Sequence, residues 1–191
     1  MHPLVQWWRL VDADEPLNPV STLFDGDPPH TGELIQPAAN ALFATLTPHT
    51  ANPDATYFGF WTGYSGNNGT HTWVGAVHDL RSAAHRTKPP TPPSTEELGL
   101  PGREYGLLLG SLNAAPHIAD YLDYHASGPT SPNLMWPTDR QWFVASEIDF
   151  DSTLIACSTE AARAITSHNE LEAYSVDPND SLQSDADNVN Q

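Results

Sequence analysis

Apolar positions recur along this chain first in a helical rhythm and then mainly in extended ones, and turn-forming residues separate them. Pro37 suits a first helical turn. Ala38, Ala39, Leu42, Phe43 and Leu46 follow on one stripe, and Pro48 stops the run. Thr56–Trp61 (TYFGFW) is aromatic on both faces and reads as a central strand. After the turn-rich Gly63–Gly69 (GYSGNNG), His71–Val77 (HTWVGAV) is expected to return as a paired strand. Arg103–Leu109 (REYGLLL) is a second strong strand. Asn113 is expected to cap a short helix with apolar positions at Ala114, Ile118, Tyr121 and Leu122. Asn133–Pro137 (NLMWP) leads to the longest strand signal, Arg140–Phe150 (RQWFVASEIDF). Asp151 and Ser152 then turn tightly into Thr153–Cys157 (TLIAC), Ser158 caps a helix over Thr159–Ser167, and Leu171–Val176 is expected as an edge strand.

Strands that follow one another through short turns pair antiparallel, because a parallel pair needs a long crossover between them. The expected class is therefore α+β, a mainly antiparallel sheet of five to six strands with two to three helices packed on it. Residues 1–176 are expected to form a single domain. Within it, residues 1–30 read as irregular, and 86–101, with five prolines, as an extended surface loop rather than a linker. Residues 177–191 carry four Asp, no base and little apolar surface, and are expected to be a disordered acidic tail.

The net charge of −17 comes less from the 24 acidic residues than from a shortage of bases, since Lys and Arg together number 7. Lys88 is the single lysine. A field of this sign repels nucleic acid and anionic membranes and leaves a basic protein partner open. Nothing in the opening residues has the form of a secretion signal, and no run reaches the length of a membrane span. Cys157 is the lone cysteine, so no internal disulfide can form. A cytoplasmic location is the expectation that fits.

The segment 140–150 carries the most suggestive chemistry. As a regular strand it would set Trp142, Val144, Ser146, Ile148 and Phe150 on a core face. Gln141, Phe143, Ala145, Glu147, Asp149 and Asp151 would lie on the other. The second face would then end in three carboxylates about 7 Å apart, which repel one another and invite a cation or a basic partner. Trp136, Asp139 and Arg140 lie just upstream, and a Trp beside an Arg suits an interface anchor. The bland readings are a solvated strand end and an indole packed on the sheet.

Other constellations are weaker. His71, His78 and His85 lack ligand spacing, so no metal site or cofactor is expected. Ser65 in GYSGN does not complete a nucleophile elbow, and no P-loop follows the glycines of 59–69. Cys157, closing an apolar strand, reads as a buried and inert thiol.

Ser131–Ser158 (SPNLMWPTDRQWFVASEIDFDSTLIACS) resembles the pattern SPNLxWPxDRxWxVAxEIDxxxTLxxxS of a group of actinobacterial proteins of unknown function. Leu23–Pro29 (LFDGDPP), Tyr57–Gly63 (YFGFWTG) and Pro101–Leu109 (PGREYGLLL) fall in the matching order, so the resemblance spans most of the chain. Cys157 departs from it, standing where a glycine is common. The resemblance implies no catalytic residue. The residues favour a non-enzymatic protein-binding module, immunity- or antitoxin-like, that engages a basic partner. The alternatives are a hydrolase or metal-dependent enzyme using Glu147, Asp149 or Asp151, and an oligomeric structural or regulatory protein.

Overall fold

A computed structural model of the protein describes residues 30–64, 76–77, 97–118 and 131–182. Helix α1 (Gln36–Leu46) has Pro37 in its first turn and buries Ala39, Ala41, Leu42, Phe43 and Leu46. It gives way to a 3₁₀ turn, Thr47–His49, at Pro48, whose ring supplies no N–H to continue the helix.

The strands are β1 (Thr56–Trp61), β2 (Ala76–Val77), β3 (Glu97–Leu100), β4 (Arg103–Gly110), β5 (Leu134–Pro137), β6 (Phe143–Ser146) and β7 (Thr153–Ala156). They form one sheet whose main path runs β2-β4-β1-β5-β6-β7, with β3 beside the first half of β4. Every pairing is antiparallel except β2 with β4. Helix α2 (Thr159–Thr166) follows β7. Its N-cap Ser158 accepts a hydrogen bond from the Ala161 amide, as the sequence leads one to expect. The α+β class holds.

One face of the sheet carries the helices. Phe58 and Phe60 of β1, Leu108 of β4, Met135 of β5, Val144 of β6 and the preceding Trp142 meet α1, the 3₁₀ segment Leu112–His117 and Ile165 of α2 in a single core. The opposite face holds a second cluster around Tyr105, Leu107 and Leu134. Between them Gly59 leaves room: a Cβ there would lie 3.1 Å from the Leu134 Cβ and 3.4 Å from a Leu107 methyl.

Several expected elements differ. The strand foreseen over 140–150 is paired only at Phe143–Ser146, and β4 is the longest of the described strands. Residues 147–150 turn instead, with the Phe150 amide on the Glu147 carbonyl and the Gly32 amide on the Phe150 carbonyl. Aspartates compete well for such turns and pack poorly in ladders. Part of the proline-rich loop is strand: β3 and β4 form a hairpin over Pro101 and Gly102. Gly102 has φ 77°, and Pro followed by such a Gly is what a type II turn requires. The cap foreseen at Asn113 falls at Ser111, whose hydroxyl donates to Asp54 and accepts no bond from the 3₁₀ turn. Leu171–Val176 is not a strand; Leu171 and Ala173 pack on the core without a ladder partner, and the sheet edge is β7. Trp136 lies in β5, not in a loop. Of the foreseen strand 71–77 only Ala76–Val77 is described, and it pairs with β4. Within the expected tail, Asp177–Asp180 closes a turn, and 183–191 lie outside the described residues. So do residues 1–29, Ser65, His71, His78, His85, Lys88, Tyr121 and Leu122.

Asn133 locks this architecture. It is 1% exposed, and its side chain satisfies three backbone groups from three directions. Its carbonyl oxygen accepts from the Trp61 amide at 2.9 Å, and its Nδ2 donates to the carbonyls of Gly32 and Ser146, each at 3.3 Å. The buried Ser131 hydroxyl adds a bond from the Leu34 amide at 2.9 Å. Removing one partner of a buried hydrogen bond strands the other at roughly 1–3 kcal/mol. Asn133→Ala strands three, so it is expected to lower unfolding free energy by about 3 kcal/mol or more. Asn133→Asp should cost at least as much, because a carboxylate cannot donate to either carbonyl. Urea unfolding monitored by tryptophan fluorescence checks both, and a loss below about 1 kcal/mol in either variant would refute the assignment.

Candidate functional site

The face of the sheet away from the helices bears the residues singled out in the sequence. Alternation along β4 sets Arg103, Tyr105, Leu107 and Leu109 on this face. Cross-strand pairing then aligns Tyr57 of β1 with Trp136 of β5. The two rings stack with centroids 5.2 Å apart, and Trp136 stacks in turn on Phe143 of β6 at 5.6 Å. Trp136 is thus the middle ring of a three-strand ladder, and aromatic pairs of this kind add roughly 0.5–1.5 kcal/mol each beyond their area. Phe143 at its end is 37% exposed.

The carboxylates sit at the opposite end of the face. Because the β6 ladder stops at Ser146, Glu147, Asp149 and Asp151 do not form an even row. Two of them converge on Arg103 at the start of β4. Its Nη2 lies 3.2 Å from Glu147 Oε1 and 2.8 Å from Asp149 Oδ2. The guanidinium also stands over the Trp61 ring, 5.4 Å from its centroid. The Arg103 Nε is buried without a hydrogen-bond partner. The cation that the carboxylates require is therefore supplied from within the chain. With Asp149 69% exposed, the pairing is worth at most about 1 kcal/mol. Asp151 is half-buried where the chain enters β7.

Asp139 and Arg140 belong to the β5–β6 connection. Asp139 Oδ2 accepts from the Thr50 hydroxyl and the Ala51 amide, both at 2.8 Å, and Oδ1 from the Gln141 amide at 3.3 Å. Desolvation is the largest single influence and pushes the Asp139 carboxyl up. The hydrogen bonds from Thr50, Ala51, Gln141 and Asn52 together outweigh it and hold the group below its ordinary range. Arg140 is exposed and occupies a left-handed backbone conformation, φ 56°. Cys157 is half-buried, and burial pushes its thiol up, away from reactivity.

Among the described residues, no group of three or more His, Cys, Asp or Glu is disposed to hold a metal ion. Of the described histidines, His30 pairs with Glu33, and His168 accepts from the Glu170 amide. No described helix is long and apolar enough to cross a membrane. No family model, curated protein or solved structure matches the chain.

Arg103, Ser131 and Asn133 are the structurally decisive residues that the sequence reading did not single out. Arg103 had a signal, being one of few bases in the chain and lying in a quoted segment.

Two tests separate backbone support from partner contact in the 139–140 turn. Asp139 has a folded-state pKa below the 3.8 of an unperturbed aspartate, so its contribution is present above that pH and is lost as pH falls through the folded value. Asp139→Ala should therefore cost about 1–2 kcal/mol at neutral pH, and the gap to wild type should close toward pH 3 in acid-urea titrations. At position 140, glycine relieves the left-handed strain but loosens the unfolded chain, so Arg140→Gly should stay within about 0.5 kcal/mol of wild type. Arg140→Val should cost about 1–2 kcal/mol. Equal losses in the two variants would show that the guanidinium, not the backbone, matters for stability.

Proposed function

We propose that this chain is a non-enzymatic protein-binding module, immunity- or antitoxin-like, whose acidic surface engages a basic partner in the cytoplasm. The observation that carries the reading is charge. The net charge is −17, and Arg103 is already engaged by Glu147 and Asp149. Arg140 and Arg163 are the other guanidiniums among the described residues, while Glu104, Asp151, Glu160, Glu170 and Glu172 are exposed or half-exposed. Such a surface steers a cationic protein toward itself at low ionic strength. Membership of the actinobacterial group carrying the 131–158 pattern belongs to the same proposal and rests on that motif with the three upstream segments in matching order.

The hydrolase or metal-enzyme alternative has less support. It asks Glu147, Asp149 or Asp151 to meet a histidine in a concavity, whereas two of the three are turned to Arg103. The oligomeric alternative loses Leu171–Val176 as its edge strand.

Affinity capture from the source cells with the full chain as bait tests the proposal. A basic protein should be retained at low ionic strength and released progressively as salt rises. Recovery of no protein at any ionic strength, or of acidic proteins only, removes its basis.

A further inference from the structure

The edge of the sheet at β7 differs from the edge at β4. There, β2 and β3 both lie against β4. At the other side β7 pairs with β6, and no described strand lies beyond it. In an antiparallel ladder alternate residues turn their N–H and C=O groups to one neighbour and the rest to the other. Half of the backbone groups of Thr153–Ala156 therefore face away from β6, and no described residue bonds to them. Edges are commonly guarded by short length, lysine, proline or an inward charge; β7 is short at 4 residues, but its sequence TLIA has none of the others. Leu154 is 39% exposed on the same face as the 37% exposed Phe143, with exposed Ala156 between that ring and the edge.

We propose that β7 is a β-augmentation edge that receives an extended segment of a basic protein, with Lys or Arg alternating with aliphatic residues. This rests on the binding-module reading and names its contact. Backbone bonds to β7 supply the register, Leu154 and Phe143 take the aliphatic side chains, and acids bracket the strand: Asp151 before it, Glu160 after it. A second copy of this chain is the wrong partner for the same reason. Paired antiparallel, the Asp151 end of one copy would face the Glu160 end of the other. Paired parallel, each acidic end would face its own like.

The probe is a synthetic Lys-Val-Lys-Val-Lys-Val peptide added to the full chain. The control has the central valine replaced by proline, equal in charge but unable to continue the ladder. Amide hydrogen exchange at alternate residues of 153–156 should slow about tenfold with the first peptide and not with the second. Leu154→Lys, or Ala156→Lys should the first variant lose its fold by circular dichroism, should weaken peptide binding roughly tenfold at low salt. Binding that leaves exchange at 153–156 unchanged, or equal binding of the proline peptide, overturns the β7 assignment and leaves the acidic-module reading standing. Absence of binding at every ionic strength overturns both. A dimer by solution mass, with 153–156 protected before any peptide is added, overturns the choice of partner.

Discussion

The fold depends on how one buried amide is satisfied. Asn133 stands where β5 begins, at the junction of β1, β6 and the segment that leads into α1. Each of these offers a backbone group to its side chain: the Trp61 amide, the Ser146 carbonyl and the Gly32 carbonyl. A hydrophobic residue of similar size would pack there but would strand all three, and a buried polar group without a partner is costly. With Ser131 on the Leu34 amide, the two side chains bind the approach to α1 to the sheet end. Helix α1 is thereby placed over Phe58, Phe60 and Met135. The hydrophobic core holds its register partly because a polar residue terminates the ladder at a fixed point.

The same termination shapes the acidic end of the outer face. Had β6 continued past Ser146, its carboxylates would have formed a regular row. The turn at 147–150 instead brings Glu147 and Asp149 to Arg103, which β4 presents beside Trp61. A site that looked in sequence like a demand for an external cation is met internally. Among the described residues, exposed or half-exposed acids remain on β3 and β4, in the turn before β7, on α2 and in the segment after it. Aromatic stacking fixes the other end of this face, so Trp136 acts first as a packed ring between Tyr57 and Phe143.

The class of fold was legible because the periodic segments were strong: Thr56–Trp61, Arg103–Leu109 and the Pro37–Leu46 helix each combine a clean pattern with clear stops. The Ser158 cap was legible because its chemistry is local. The errors share a cause, since period-2 alternation reports which side chains face the core but not whether a neighbouring strand is present. Leu171–Val176 alternates, half-buries Leu171 and Ala173, and has no ladder. Residues 147–150 alternate too, yet their backbone is drawn into a turn by Gly32, far away in sequence. The hairpin at Pro101–Gly102 was hidden by the prolines before it. For the candidate site, the carboxylates were visible, but their counter-ion lies some forty positions upstream, and no spacing rule connects Arg103 to Glu147.

The order in which β1 acquires its neighbours bears on how the chain is made. β1 is flanked by β4, with Thr56 opposite Gly110, and by β5, with Thr56 opposite Pro137. Neither flank precedes it or follows it closely. During synthesis the aromatic segment TYFGFW must wait for half of its backbone partners until β4 has emerged, and for the rest until β5 has. Contacts of such sequence separation close slowly. Over that interval the most aromatic of the described strands has an open side, and it needs protection by a chaperone or by the ribosome surface before the sheet closes.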